Sequence, residues 1–443
     1  MKNNIDFVLK KLNKNKLVVN IFSAFIFKGL GIILSFLSVP ITLKYLGNEF
    51  YGLWILILSI TSWIYTFDIG IGNGLKNKIA EGIAKNDNLE IKENIAAGYF
   101  GVIGIALIFF IFSFIVLSMI NTSKLLNINF LTNLELTNIL LINIFFVCLN
   151  FVFSLCNNIF YGSQKSYLAS LNAILSQFFN IVFLILLIKI EKTSIVMLSI
   201  FYGLSVLLSH CILTLMYFSK NSNINFNLKD IHLNKVKKLL HTGGNIFIVQ
   251  ICGLIIFSTD NFIISYFLGM DKVAEYNIVN KLFGIPILIL TLVLAPIWPA
   301  ITKSYYEKDR KWIENLVKKM KKLFILMTVI CVGLIFVGKK FIQIWTLDKV
   351  NPNFALILTC GIATILTGYS SIYSTPLFAI KTDVKLVWLS IFQAIMNIIL
   401  SYVFIKFLRL GSTGVILATC FCMATNIFIL PRWLNNRLKN IIL

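Results

Sequence analysis

The sequence predicts an all-α, polytopic membrane protein: twelve transmembrane helices in two pseudo-symmetric six-helix bundles around a central cavity. Composition, the placement of apolar runs and a weak internal repeat lead to this class. Of the 443 residues, 58% are apolar and only 13% charged, whereas soluble domains carry about a quarter charged residues. A helix crossing lipid needs ~20 mostly apolar residues, because hydrocarbon offers no partner for unpaired backbone groups. Runs of that kind cover almost the whole chain and leave no stretch long enough for a soluble domain.

The apolar runs place spans at about 17–43, 51–71, 95–120, 136–160, 168–189, 194–218, 242–268, 277–301, 323–338, 354–380, 386–408 and 412–431. The first sixteen residues carry Ile5, Val8, Leu9 and Leu12 at helical spacing among lysines, the pattern of an interfacial amphipathic helix. The run that follows exceeds a signal h-region and lacks a small-residue cleavage site, so it is expected to stay as the first span. The division expected is an N-terminal bundle over 1–218, a linker over 219–241 and a C-terminal bundle with a short basic tail over 242–443.

Twelve spans put both termini on one side. The segments on that side hold 28 Lys and Arg residues and the opposite loops hold 10, with Lys28 and Lys281 inside spans. The positive-inside rule assigns the richer side to the cytoplasm. The net charge of +22 is then membrane-proximal, holding topology and attracting anionic headgroups, and no nucleic-acid partner is expected. Only four of the forty basic residues are arginine, so an anion site here must rely mostly on lysine point charges. The eight cysteines all fall in apolar segments and the three histidines are scattered, so neither a metal site nor a cofactor is expected.

The two halves echo each other at an offset of about 220 residues. "NIF" at Asn20–Phe22 returns at Asn245–Phe247, and "YLG" at Tyr45–Gly47 returns as "FLG" at Phe267–Gly269. "LNAILSQFFNIVF" resembles "LSIFQAIMNIIL", which pairs Asn180 with Asn397. An even number of spans per half makes the repeat parallel, an arrangement that suits a transporter rocking around a cavity.

Span 1 carries Asn20, Ala24, Lys28, Gly31, Ser35, Ser38 and Thr42 in steps of three and four, hence on one face. Lys28 lies about 18 Å into the span at 1.5 Å per residue. An amine at that depth requires water, an acid or an anionic ligand. It either lines the cavity as a cation or pairs with an acid on a neighbouring helix. The matching stripe of span 7 is Asn245, Val249, Gly253, Ile256 and Asp260. Asp260 either neutralises Lys281 on the next span or binds a proton or Na⁺ and couples transport to an ion gradient. His210 is a weaker coupling candidate, and a satisfied buried histidine is the plainer alternative. Trp63, Tyr65, Trp298, Tyr369 and Tyr373 suit either sugar stacking or packing and interface anchoring. Anion or glycan candidates are therefore Lys28, Lys281, Asn20 and Asn245.

In "FDIGIGNGLKNKIAE" (Phe67–Glu81), the glycines follow a span rather than a strand and stand in a G-x-G-x-G spacing, which is not a dinucleotide fingerprint. They suit a tight exit from the membrane, with Asn73 capping the next helix and Lys76, Lys78, Glu81 and Lys85 along a helix on the surface. Asp68 then lies at the inner mouth as a candidate gate.

The stretch "YLGNEFYGLWILILSITSWIYTFDIGIGNGLKNKIAE" (Tyr45–Glu81) resembles the corresponding region of bacterial O-antigen and capsule polysaccharide flippases, within the superfamily that also holds the multidrug and toxic compound extrusion (MATE) proteins. The resemblance implies movement of an undecaprenyl-pyrophosphate-linked oligosaccharide from the cytoplasmic to the outer leaflet of the inner membrane. It implies membrane lipids, and a polysaccharide polymerase or other assembly proteins, as partners of a monomer, and a cationic lumen that Lys28 and Lys281 would supply. The alternatives are a cation-coupled multidrug exporter of the same fold and a lipid II flippase, although the latter usually has two more spans. An enzyme is not expected, because the outer loops hold no convincing acid–base pair.

Overall fold

The computed structural model describes residues 2–66, 71–163, 165–190, 193–221, 224, 231–236, 244–294, 297–380 and 384–439. Among them the chain is helical throughout. The helices are α1 (Lys2–Thr66), α2 (Ile71–Lys85), α3 (Asn88–Met119), α4 (Thr122–Leu126), α5 (Asn133–Gly162), α6 (Ser166–Lys189) and α7 (Ile195–Lys220). They continue as α8 (Gly244–Leu268), α9 (Met270–Leu294), α10 (Ile297–Tyr306), α11 (Arg310–Trp345), α12 (Phe354–Ile380), α13 (Val384–Lys406) and α14 (Gly411–Lys439). Eleven helices are long and apolar enough to cross a membrane. The first of them, α1, is bent at Gly47 and contains the first two predicted spans, which makes twelve.

The repeated "YLG" and "FLG" do the same work in the two halves. Gly47 breaks α1 at φ 75° and Gly269 separates α8 from α9 at φ 88°. A positive φ at one residue interrupts the helix without a loop, and glycine adopts it at no steric cost. Caps end other helices: Thr132 and Glu135 form a reciprocal capping box at α5, and Asp87 and Asp309 accept from the first-turn amides of α3 and α11.

Several predicted boundaries are corrected. Residues 2–16 are helical and continuous with the first span, because neither proline nor glycine interrupts the chain before Gly29. Span 8 begins at Met270 rather than 277, directly after the Gly269 break, and ends at Leu294, with Pro299 in the separate helix α10. The basic segment before span 9 belongs to the same helix as the span, since α11 runs 36 residues from Arg310 to Trp345. Asn73 lies inside α2 rather than at its cap. That helix buries Ile71, Leu75 and Ile79, four residues apart, against Ile95 and Phe160. Its other face holds Glu81 between Lys78 (2.7 Å) and Lys85 (2.6 Å), whose ammonium groups hold the carboxyl down to about 2.

The chain divides into two compact units. The first comprises 1–47 and 61–244, the second 48–60 and 245–443. In the first, Asn143 of α5 donates to Ser199 of α7 (2.8 Å) and Asn150 donates to the carbonyl of Gly203 (3.3 Å). In the second, Gln393 of α13 donates to Thr425 and Asn426 of α14, and Asn426 donates to Ser370 of α12. Such interhelical bonds each contribute about 0.6 kcal/mol or more in lipid, where apolar contact alone does not drive association. Tyr373, buried at the centre of a cluster with Leu377 and Met327, stacks on Tyr369 at 5.1 Å, so these two rings serve packing rather than sugar stacking. The side chains of Trp63, Tyr65 and Trp298 lie outside the described residues.

Residues 48–60 are held in the second unit by specific contacts. Asn48 donates to the carbonyl of Lys349 (2.9 Å), and Asn261 donates to Ser59 (2.8 Å). The Met270 carbonyl occupies the space a side chain on Gly52 would need. Gly52→Val is therefore expected to destabilise the protein by about 2–3 kcal/mol, the usual cost of overpacking against an unyielding neighbour. A lowered melting temperature in detergent would register it; an unchanged one would refute the close approach.

Candidate functional site

The second unit encloses a cavity of about 250 Å³ beneath Asp260. Four helices build it. Phe257 and Asp260 come from α8, Tyr276, Asn280 and Phe283 from α9, Cys360, Thr364 and Thr367 from α12, and Ile416 and Thr419 from α14. Phe257 and Asn280 are exposed at its edge, whereas Asp260 is 2% exposed. Asp260 Oδ2 accepts a 2.7 Å hydrogen bond from the Tyr276 hydroxyl. Its other oxygen, Oδ1, is buried and has no hydrogen-bond partner.

An ionised carboxylate buried with one neutral donor is costly unless a counter-charge joins it. The lining supplies oxygens for such a companion. Thr367 donates its hydroxyl hydrogen to the Ala363 carbonyl (2.8 Å), which leaves the oxygen lone pairs available. Thr419 accepts from Asn397 (3.0 Å) and retains a hydrogen to orient. A carboxylate ringed by hydroxyl oxygens is the donor set of a proton or of a hard cation such as Na⁺.

The predicted site residues fall in different places. Asp260 is in this cavity, but its partner is Tyr276 and not Lys281, so the neutralising pair is not formed. Lys281 is half-buried on α9, one residue beyond Asn280. Lys28 is exposed on α1 and forms no ion pair among the described residues, so the carboxylate-locked alternative is also not formed. Along the same stripe, Ser38 and Thr42 are buried and donate to backbone carbonyls of their own helix. The side chains of Asn20 and Asn245, and Asp68 entirely, lie outside the described residues. His210 is buried in the first unit, with Nδ1 donating to the Val206 carbonyl (2.9 Å) and Nε2 facing the Asn157 amide (3.4 Å). Asn157 accepts in turn from Asn172 (3.0 Å).

Tyr276, Asn280, Thr364, Thr367 and Thr419 were not anticipated. Thr364 and Thr367 carried a legible signal, because a three-residue spacing places both on one face of α12. Nothing in the linear order linked them to Asp260.

The long apolar helices in this order define a membrane protein of MATE-like fold. The structure of a multidrug resistance MATE family transporter in its inward-facing conformation superposes with a TM-score of 0.78 at 18% identity, covering 94% of this chain and 98% of that one. A transporter of the same superfamily from Pyrococcus furiosus gives 0.64 at 17% identity, covering 96% of each. The chain belongs to the polysaccharide biosynthesis protein family, which matches residues 17–305. Among relatives, it is 24% identical to a Yersinia pseudotuberculosis protein provisionally named an O-antigen export protein, over 83% of this chain and 84% of the relative. It is likewise 24% identical to a provisionally named O-antigen transporter of Salmonella typhimurium, over 88% and 90%.

Proposed function

We propose that this protein is a flippase that moves an undecaprenyl-pyrophosphate-linked oligosaccharide, an O-antigen or capsule repeat unit, across the inner membrane by alternating access. The observation that carries the proposal is the similarity to O-antigen export proteins along nearly the full length of both chains. Both termini face the cytoplasm, as the distribution of lysine and arginine requires. Lys28 recognises the pyrophosphate: it is exposed and unpaired among the described residues, and an amine within a span is stabilised by an anionic ligand. Lys281, Asn20 and Asn245 extend the polar contacts to the headgroup and glycan, and Asp68 gates the inner mouth.

Asp260 takes up the coupling ion, H⁺ or Na⁺. The size of its cavity, about 250 Å³, is below the ~300–1,000 Å³ of drug-sized sites. That favours an ion over a drug and places the multidrug exporter second. His210, bonded at both nitrogens, belongs to the packing of α5, α6 and α7.

Deleting the gene should remove surface polysaccharide and leave lipid-linked repeat units in the inner leaflet, shielded from a lectin added to spheroplasts. A plasmid copy should restore both. Normal surface polymer together with new drug sensitivity would overturn the flippase in favour of the exporter.

A further inference from the structure

A second cavity, of about 320 Å³, lies in the first unit. It lies where the α2–α3 turn, the α5–α6 junction and the end of α7 meet, on the lysine-rich side of the membrane. Its polar lining is Ser163, Lys165, Tyr217, Lys220, Asn221 and Asn88, the first residue of α3, and isoleucines of α2 and α3 complete it. Among the described lining residues there are two ammonium groups and no carboxylate. The nearest acid in sequence, Asp87, is engaged in capping α3 at the Glu90 amide (2.9 Å).

Lys165 is held rather than free to swing away. Lys165 lies over the Tyr217 ring at 4.9 Å, and the Tyr217 hydroxyl is fixed by Ser163 at 2.6 Å. Neither lysine forms an ion pair among the described residues. Partial burial pushes the Lys165 amine below its ordinary value, and the charge of Lys220 adds to the effect. Two like charges facing one concavity destabilise each other, and an anion placed between them would relieve both.

We propose that this cavity binds a phosphate-bearing anion through Lys165 and Lys220, either a lipid headgroup or a soluble phosphate. Its volume suits a headgroup and not an oligosaccharide. The isoleucine wall, with Ile83 46% exposed, offers an apolar edge along which a lipid tail can leave.

The test uses the full-length chain, purified in detergent and in nanodiscs. One arm titrates inorganic pyrophosphate against intrinsic fluorescence. The other compares retained lipid by native mass spectrometry from phosphatidylcholine discs with and without phosphatidylglycerol. Binding in the first arm identifies a soluble phosphate and binding only in the second a lipid headgroup; either supports the site if the lysine variants abolish it. Each of Lys165→Gln and Lys220→Gln should weaken binding about tenfold, the loss of one charge-assisted hydrogen bond, while the double Lys→Arg variant retains it. Lys220 is exposed, so Lys220→Gln alone serves if Lys165→Gln fails to fold. All variants are compared in the Lys28→Ala background, which removes pyrophosphate bound by the transport pathway, so the binding that remains belongs to this cavity. No binding in either arm, or binding indifferent to Lys220→Gln, overturns the proposal.

Discussion

Asp260→Asn is expected to abolish coupled transport while leaving the folded protein at least as stable as the parent. Asparagine keeps the shape and the bond from Tyr276 but removes the charge that draws an ion into the cavity. A charge-assisted interaction of ~3 kcal/mol corresponds to a loss on the order of 100-fold, measurable as transport rate in proteoliposomes under an imposed gradient. The stability expectation runs the other way. Oδ1 has no partner in the parent, so neutralising the side chain removes a desolvation cost. A variant with full transport would exclude a coupling role. One that both melts early and transports poorly would make Asp260 a structural residue.

Lys28→Ala should lower surface polysaccharide by about 10- to 100-fold with protein abundance unchanged, scored by immunoblot of both. The expectation of unchanged abundance follows from the structure. Lys28 is exposed and unpaired among the described residues, so truncation breaks no internal contact. Ile26, Leu30 and Ile33 beside it are 47%, 46% and 57% exposed and pack around nothing that depends on the amine. Lys28→Arg keeps the charge and is expected to retain most of the activity. Normal surface polymer in the alanine variant would remove Lys28 from substrate recognition.

The spans were legible because hydrocarbon imposes the same requirement on every helix, whatever its neighbours. The repeated Tyr-Leu-Gly and Phe-Leu-Gly were legible for a similar reason, since a glycine closing an apolar run marks a backbone turn in its own right. Side-chain partnership was not. Lys281 is the first basic residue after Asp260 that falls inside a predicted span, yet α9 brings Tyr276 to the carboxylate instead. Lys165 precedes α6 and Lys220 closes α7, and only the packing of α5, α6 and α7 brings their charges together. The polar stripe of α1 shows a further limit: Ser38 and Thr42 share a face with Lys28 but satisfy their hydroxyls on the helix itself.

The membership of residues 48–60 in the second unit also bears on biosynthesis. Ser59 meets Asn261 across 202 positions of sequence. At ~5–20 residues per second, a nascent chain must hold this early segment in the bilayer for about 10–40 s before its acceptors emerge from the ribosome. During that interval Gly52 and Asn48 are without their final neighbours, so a truncated product ending near residue 244 is a natural substrate for membrane quality-control proteases.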